Sequence, residues 1–307
     1  MRGIRYSRRL AKDEITMILV TGAAGKTGKA VVSALAAAGA RVRAMVRRPE
    51  QIAALQALGA AEAVVGSFED ADSLRRAATG ALAIYHICPN VSRDELAYAQ
   101  SIATAVRDCR VRRFVYHSVL HPQIEAMPHH WRKMRVEEML MRADFAVTVL
   151  QPTAYMQNIL GAWRSITVDG VLPIPYPADT RISLVDLDDV AAAAALVLTQ
   201  EGHDGATYEL AGTAPLSQRE VAAAIGAALG KSIRIEEQSV EAWQAQAEAG
   251  GMEANARSEL TAMFRYYASH GLRGSPNTLR WLLGRAPNDL GGFLKRHVSR
   301  DSPQAAN

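Results

Sequence analysis

The 307 residues, 49% apolar and 21% charged, have the make-up of a globular protein with one large domain, or one domain and a smaller appendage. The net charge of +4 is uneven: Arg2, Arg5, Arg8, Arg9 and Lys12 against Asp13 and Glu14 give residues 1–16 a charge of +3 and leave +1 for the rest, so no basic face calls for direct nucleic-acid binding. The longest apolar run, the nine residues Val190–Leu198, is far too short to span a bilayer, and two cysteines, Cys88 and Cys109, supply neither a C-x-x-C motif nor a disulfide framework. These features point to a reducing, cytoplasmic setting, with no membrane contact and no metal centre. Residues 1–16 lack the apolar stretch of a signal peptide. They are expected to be a disordered basic extension, or the product of an upstream start codon with Met17 the natural first residue. A disordered tail is expected at 299–307.

From Met17 onward strands and helices alternate. Met17–Thr21 is a short apolar run that reads as a strand, and Lys26–Ala38 follows as a helix with Val31, Val32 and Leu35 on one face. Arg41–Val46 is a second strand, Gln51–Leu58 a helix, Ala63–Val65 a third strand and Asp72–Ala78 a helix. Ala83–Ile87, Phe114–His117 and Ala146–Leu150 read as further strands, separated by helices at Glu95–Cys109 and Arg135–Arg142. This alternation implies parallel crossovers, hence an α/β fold with a doubly wound parallel sheet of Rossmann type over 17–151. Beyond Gln151 the pattern loosens around Pro152, Pro173, Pro175 and Pro177. Asp188–Thr199 reads as helix, Thr207–Leu210 as strand, and Ser217–Leu229 as a helix opened by a capping box between Ser217 and Glu220. Glu241–Val298 is mainly helical. Residues 152–298 are therefore expected to form a smaller, mostly helical region interleaved with the sheet domain, for substrate or partner.

The turn Val20-Thr21-Gly22-Ala23-Ala24-Gly25-Lys26-Thr27-Gly28 joins the first strand to the first helix. Gly22 permits a tight turn, Gly25 lets backbone approach a pyrophosphate, and Gly28 lets the helix lie close. The helix N-terminus then offers N–H groups and partial positive charge to phosphates. The spacing is G-x-x-G-x-x-G, and its place in a strand–turn–helix unit makes it a dinucleotide site rather than an ordinary turn. The second strand ends Ala44-Met45-Val46-Arg47-Arg48-Pro49, with no carboxylate to accept from a ribose 2′-hydroxyl. Arg47 suits a 2′-phosphate, so NADP(H) is expected over NAD(H).

With the glycine turn and Val46-Arg47, several later segments carry a resemblance: Arg113-Phe114-Val115-Tyr116-His117-Ser118, Lys133 with Val136-Glu137-Glu138, Leu150-Gln151-Pro152-Thr153-Ala154-Tyr155-Met156-Gln157-Asn158, Leu187-Asp188-Asp189-Val190-Ala191 and Trp281-Leu282-Leu283-Gly284-Arg285-Ala286-Pro287. In this order they resemble the NmrA-like family of atypical short-chain dehydrogenases, which includes quinone and triphenylmethane dye reductases and redox-sensing regulators. The resemblance implies that Thr21, Gly22, Gly25, Lys26, Thr27 and Gly28 bind the cofactor and that Arg47 meets its 2′-phosphate. It also implies that Ser67 and Phe68 lie beside the adenine, that Ile87, Cys88 and Pro89 pass the ribose, and that Pro152, Thr153 and Tyr155 wrap the nicotinamide end. Ser67 stands where the family has Asp, and Gln151 where it commonly has Arg.

Ordinary short-chain dehydrogenases use Ser, Lys and a Tyr four residues before the Lys. Here Ser118 and Lys133 fall in the expected places, but the position four before Lys133 is His129. The candidate catalytic residues are thus Lys133, Ser118 and His129, with Lys133 also a ribose ligand and His129 a proton donor in competition with His130. Without the phenol acid, a small conjugated or aromatic acceptor such as a quinone or dye suits the site better than a simple ketone. Tyr155, Trp163, Met263, Phe264, Tyr266 and Tyr267 are available to such a substrate. The resemblance leaves two functions open: a reductase, or a non-catalytic NADP(H) sensor that binds a protein partner. Either could form an oligomer.

Overall fold

The computed structural model describes residues 17–301, so the expected basic extension at 1–16 and positions 302–307 of the expected tail lie outside the described residues. Among the described residues the chain divides into two compact units, one of 17–123, 129–151 and 190–208, the other of 124–128, 152–189 and 209–301.

Five βα steps and a sixth strand build the first unit: β1 (Met17–Val20), α1 (Lys26–Ala37), β2 (Arg41–Val46), α2 (Ile52–Ala57), β3 (Glu62–Val65), α3 (Ala71–Ala78), β4 (Ala81–His86), α4 (Glu95–Asp108), β5 (Arg113–His117), α5 (Pro128–Leu140) and β6 (Ala146–Pro152). With β11 (Thr207–Leu210) they form a seven-stranded sheet in the order β11-β6-β5-β4-β1-β2-β3. The registers run parallel, for example Leu19 opposite Arg43 on one side and Ile84 on the other. After β3 the chain crosses to the far side of β1, so the switch point lies between β1 and β4. Because the strands are parallel, all their carboxyl ends lie at one edge of the sheet.

Burial on both faces explains why β1 reads as an unbroken apolar run: Ile18, Leu19 and Val20 are at most 1% exposed. Helix α1 lays Val31, Val32 and Leu35 against the sheet, and α3 is capped by Asp70, whose carboxylate accepts from Asp72 N (3.0 Å) and Ser73 N (3.1 Å). On the other face Leu74, Ile102, Val106, Phe114, Val136 and Leu140 share one cluster. Each such buried side chain contributes about 1.5–3 kcal/mol.

Helix α5 differs from its expected span, Arg135–Arg142. It starts at Pro128, a residue well suited to a first helical turn. The helix thus begins seven residues earlier than expected, which places His129, His130 and Lys133 on α5.

The second unit holds short strand pairs: β7 (Ala154–Tyr155) with β10 (Leu184–Val185), β8 (Val171–Ile174) with β13 (Arg234–Glu237), and β9 (Arg181–Ile182) with β12 (Leu216–Ser217). Helix α6 (Leu187–Thr199) starts here and carries the chain back to the first unit. Helix α7 (Gln218–Leu229) has the expected capping box, with Glu220 N donating to Ser217 Oγ (3.2 Å) and Ser217 N to Glu220 Oε2 (2.8 Å). Then come α8 (Val240–Ala249), α9 (Ala254–His270), α10 (Pro276–Leu283) and α11 (Leu290–Asp301), the last running three residues into the stretch expected as tail. Among the described residues no helix is long and apolar enough to cross a membrane.

Candidate functional site

The glycine turn sits at the carboxyl end of β1. Gly22 has φ +59°, where a β-carbon would be strained and would lie 2.7 Å from Ile87 O. At Gly28 a β-carbon would meet Gly22 O at 2.3 Å and Ala23 Cα at 2.7 Å, so this glycine lets α1 start directly against its own turn. The first turn of α1 has no side-chain cap and no acidic residue, and its N-terminal N–H groups suit an anion. Lys26 adds exposed positive charge there. Thr21 is turned inward: its Oγ1 accepts from Ile87 N (3.2 Å) and lies 3.0 Å from His86 Nδ1. It braces the ends of β1 and β4.

The next strand ends present three further candidates. Arg41 and Arg43 of β2 both engage Glu62, and Arg43 also donates to Ala77 O and Thr79 O. Arg47 is exposed and has no ion pair among the described residues, so its guanidinium is available. After β3, Ser67 Oγ accepts from Glu69 N (3.2 Å) and keeps its own proton to donate. The Phe68 ring is a core element, stacked on Tyr98 and edge-on to His86, so only its backbone is offered outward. After β4, Ile87 packs over Gly22. Cys88 is buried, and burial together with the nearby Glu95 carboxylate pushes its thiol up, so it is not a thiolate at neutral pH.

Around the end of β5 the structure brings Lys133 and Ser118 into two adjoining buried networks. Lys133 Nζ donates to Glu95 Oε1 (2.8 Å) and to His117 O (3.3 Å), and lies 5.4 Å from the centre of the Tyr116 ring. Tyr116 OH donates to the same Glu95 oxygen at 2.8 Å. Ser118 donates its hydroxyl to Glu137 Oε1, and Gln151 Nε2 lies 2.9 Å from each Glu137 oxygen. Burial raises the Glu137 carboxyl above the usual carboxylate range, against the lowering effect of the Ser118 and Gln151 hydrogen bonds and of Lys133. Ser118 is 2% exposed and its proton is committed inward.

His129 packs edge-to-face on His130. Burial, with His130, Lys133 and Arg132 close by, takes His129 down to about 3, and burial takes His130 down to about 4. Both rings are therefore neutral at pH 7, and neither holds the extra proton of an imidazolium acid. Glu95 was not singled out from the sequence: it stands 38 residues from Lys133 and belongs to no motif. Its position in the first turn of the helix after β4, at the sheet edge that carries the other candidates, is the signal that could have found it.

The remaining candidates lie in the second unit. Thr153 is held by Oγ1 donating to Ser183 O (2.8 Å) and by its N donating to Leu210 O (3.1 Å). Pro152 is buried and Tyr155 half-buried, the latter on β7. Asp186 accepts from Gln157 Nε2 (2.7 Å), Asn288 Nδ2 (3.1 Å) and Arg296, while Asp189 pairs with Arg285 (2.6 Å). Of the aromatic candidates, Tyr267 is buried and Phe264 packs with Trp243 and Tyr176. Trp163 contacts His297, and Tyr266 contacts His270. No group of three or more His, Cys, Asp or Glu among the described residues is placed to hold a metal ion.

Known proteins share this chain's pattern. A (4-alkanoyl-5-oxo-2,5-dihydrofuran-3-yl)methyl phosphate reductase from Streptomyces griseus is 35% identical over 230 residues, 74% of this chain and 78% of that protein. An NAD(P)H azoreductase from Xenophilus azovorans is 27% identical over 285 residues, covering 92% and 98% respectively. The structure of an NADPH-dependent quinone oxidoreductase from Escherichia coli complexed with NADPH has a TM-score of 0.82 at 25% identity, covering 92% of this chain and 100% of that one. The NmrA-like family matches residues 14–291, and on that match, which takes in the glycine turn, the strand ends and the helical region alike, the chain belongs to the NmrA-like family.

Proposed function

We propose that the chain is an NADPH-dependent reductase acting on a quinone, a dye or a related conjugated acceptor. The observation that carries this reading is the arrangement at the carboxyl edge of the first unit: an uncapped, acid-free first turn of α1 behind a glycine cradle, with an uncommitted Arg47 at the end of the next strand. The cradle that a β-carbon would fill fits a pyrophosphate, and the guanidinium fits a 2′-phosphate better than a ribose hydroxyl. The quinone and azo reductases among the relatives support the same reading.

Gly22, Lys26, Thr27 and Gly28 would hold the pyrophosphate through backbone N–H groups, while Gly25, whose own N–H donates to Gly22 O (3.0 Å), would let the phosphate come close to the backbone, and Thr21 braces the turn from within. Arg47 would take the 2′-phosphate, and the Ser67 hydroxyl with the Phe68 backbone would border the adenine. Ile87, Cys88 and Pro89 would flank the ribose next to the turn. Lys133 has used two of its three N–H donors and keeps one for a nicotinamide ribose hydroxyl. The bound nicotinamide supplies hydride; the protein supplies orientation.

The choice of acceptor follows from what the first unit lacks. Ser118 donates its hydroxyl hydrogen bond to Glu137, and His129 is a neutral ring at pH 7. Neither serves as a strong acid. An acceptor whose reduced form is stabilised by conjugation, or that takes hydride at a cationic carbon, needs no such acid. The absence of disulfide-forming cysteine pairs supports a reducing, cytoplasmic setting.

The test is loss of reduced-cofactor absorbance when purified protein and NADPH meet a panel of quinones, triarylmethane dyes and enones. Turnover of at least one class, reduced at least tenfold in Lys133→Ala, is the expected result. Saturable NADPH binding with no turnover across the panel would sink the reductase reading and favour a cofactor-sensing regulator.

A further inference from the structure

Lys133 is held on several sides. Glu95 reaches it from α4, the Tyr116 ring and the His117 carbonyl reach it from β5, and α5 supplies its backbone. Glu95 is only 3% exposed, against 15% for the lysine side chain. Its carboxylate also accepts from Tyr116 OH, and it lies near enough to Cys88 to push that thiol up. A carboxylate so deeply buried gives up its hydration, and an ion pair in such a place is weak evidence for stability. What it does provide is direction: a flexible four-carbon stem is brought to one position, with two donors fixed and the third left over.

We propose that Glu95 is a positioning residue, whose carboxylate fixes the Lys133 ammonium so that its remaining N–H is presented to the nicotinamide-side ribose of the cofactor. This role rests on Lys133 being the ribose ligand. It makes α4 part of the cofactor site although none of its residues need touch the cofactor.

Two ligands separate positioning from a general structural effect. NADPH carries the nicotinamide ribose; adenosine 2′,5′-bisphosphate carries the phosphates and adenine but lacks that ribose. Calorimetric titration of Glu95→Ala should show NADPH affinity lowered about tenfold or more, the scale of one charge-assisted hydrogen bond. Affinity for the bisphosphate should stay within about twofold of the wild type. Lys133→Ala should behave alike, and the double variant should bind NADPH no more weakly than Lys133→Ala alone, because Glu95 acts through the lysine.

Wild-type NADPH affinity in Glu95→Ala, equal loss of both ligands, or additive losses in the double variant would each overturn the proposal. If instead Lys133→Ala itself binds NADPH normally, the ribose assignment fails first and takes this role with it. Should Glu95→Ala not fold, Glu95→Gln keeps an acceptor oxygen and removes the charge. It should lose NADPH affinity by several-fold while holding the bisphosphate, and a wild-type value for both ligands would again refute the role.

Discussion

Replacing Gly25 by Ala separates what the glycine turn does for the fold from what it does for a ligand. Gly25 has φ −72° and ψ 168°, an extended conformation open to any residue. It is exposed, and an added β-carbon would have one neighbour within 4 Å, Gly22 O at 3.3 Å, which has to give by a few tenths of an ångström. Loss of unfolded-chain entropy should stabilise by about 0.4–1 kcal/mol, offsetting that contact, so the free protein should change by less than about 1 kcal/mol. A phosphate drawn up to the backbone at this point meets the methyl group instead. Losing one charge-assisted hydrogen bond, worth about 1.5–3 kcal/mol, lowers NADPH affinity by roughly ten- to 150-fold. Thermal unfolding of the free variant and calorimetric titration with NADPH read the two effects apart. Unchanged affinity in a stably folded Gly25→Ala would refute the pyrophosphate cradle.

Other perturbations follow from the same structure. Gly28→Ala should behave oppositely in the free protein, losing about 1–3 kcal/mol in denaturant unfolding, because its β-carbon meets backbone at 2.3 and 2.7 Å. Arg47→Asp should weaken NADPH binding by about tenfold or more while leaving NADH binding equal or better; parallel losses for both would remove Arg47 from the 2′-phosphate. His86 and His117 are taken by burial from 6.5 to about 3, so the unfolded chain binds the extra protons first. Stability from these residues is complete above pH 6.5 and falls as pH drops toward 3, by about 1.4 kcal/mol per pH unit for each ring. His86→Asn should reduce the slope of unfolding free energy between pH 5.5 and 4.5 by one ring's share, and an unaltered slope would contradict the assignment. Asp186→Ala leaves Gln157, Asn288 and Arg296 without their shared acceptor. A loss of about 2–3 kcal/mol is expected in urea unfolding, moderated because Arg296 stays partly in water.

The sheet domain was legible because its signals are local. Buried parallel strands leave apolar runs, and amphipathic helices leave a 3.6-residue period. Glycines mark the turn at Gly22 and the close approach at Gly28. The start of α5 was not legible: Pro128-His129-His130-Trp131 has no apolar stripe, although the proline opens the helix. The paired strands of two residues, such as Leu184–Val185 and Ala154–Tyr155, are too short to show a period. Arg234–Glu237 is mostly exposed and lacks an alternating pattern. At the site, positions along the sheet edge could be read from strand ends, but side-chain commitments could not. Phe68 is expected beside the adenine, yet its ring belongs to the core. Ser118 falls where a catalytic serine should, yet its hydroxyl donates its hydrogen bond to Glu137. Lys133 could be found by spacing, while its partner Glu95 depends on how α4 and α5 meet over β5.

The most direct measurement is a calorimetric titration of the wild-type protein with NADPH and NADH side by side. Saturable binding of one NADPH per chain, with NADH weaker by about tenfold or more, is the predicted result. No saturable heat with either nucleotide, or equal affinity for both, would contradict the claim that the glycine turn and Arg47 together hold a 2′-phosphorylated dinucleotide.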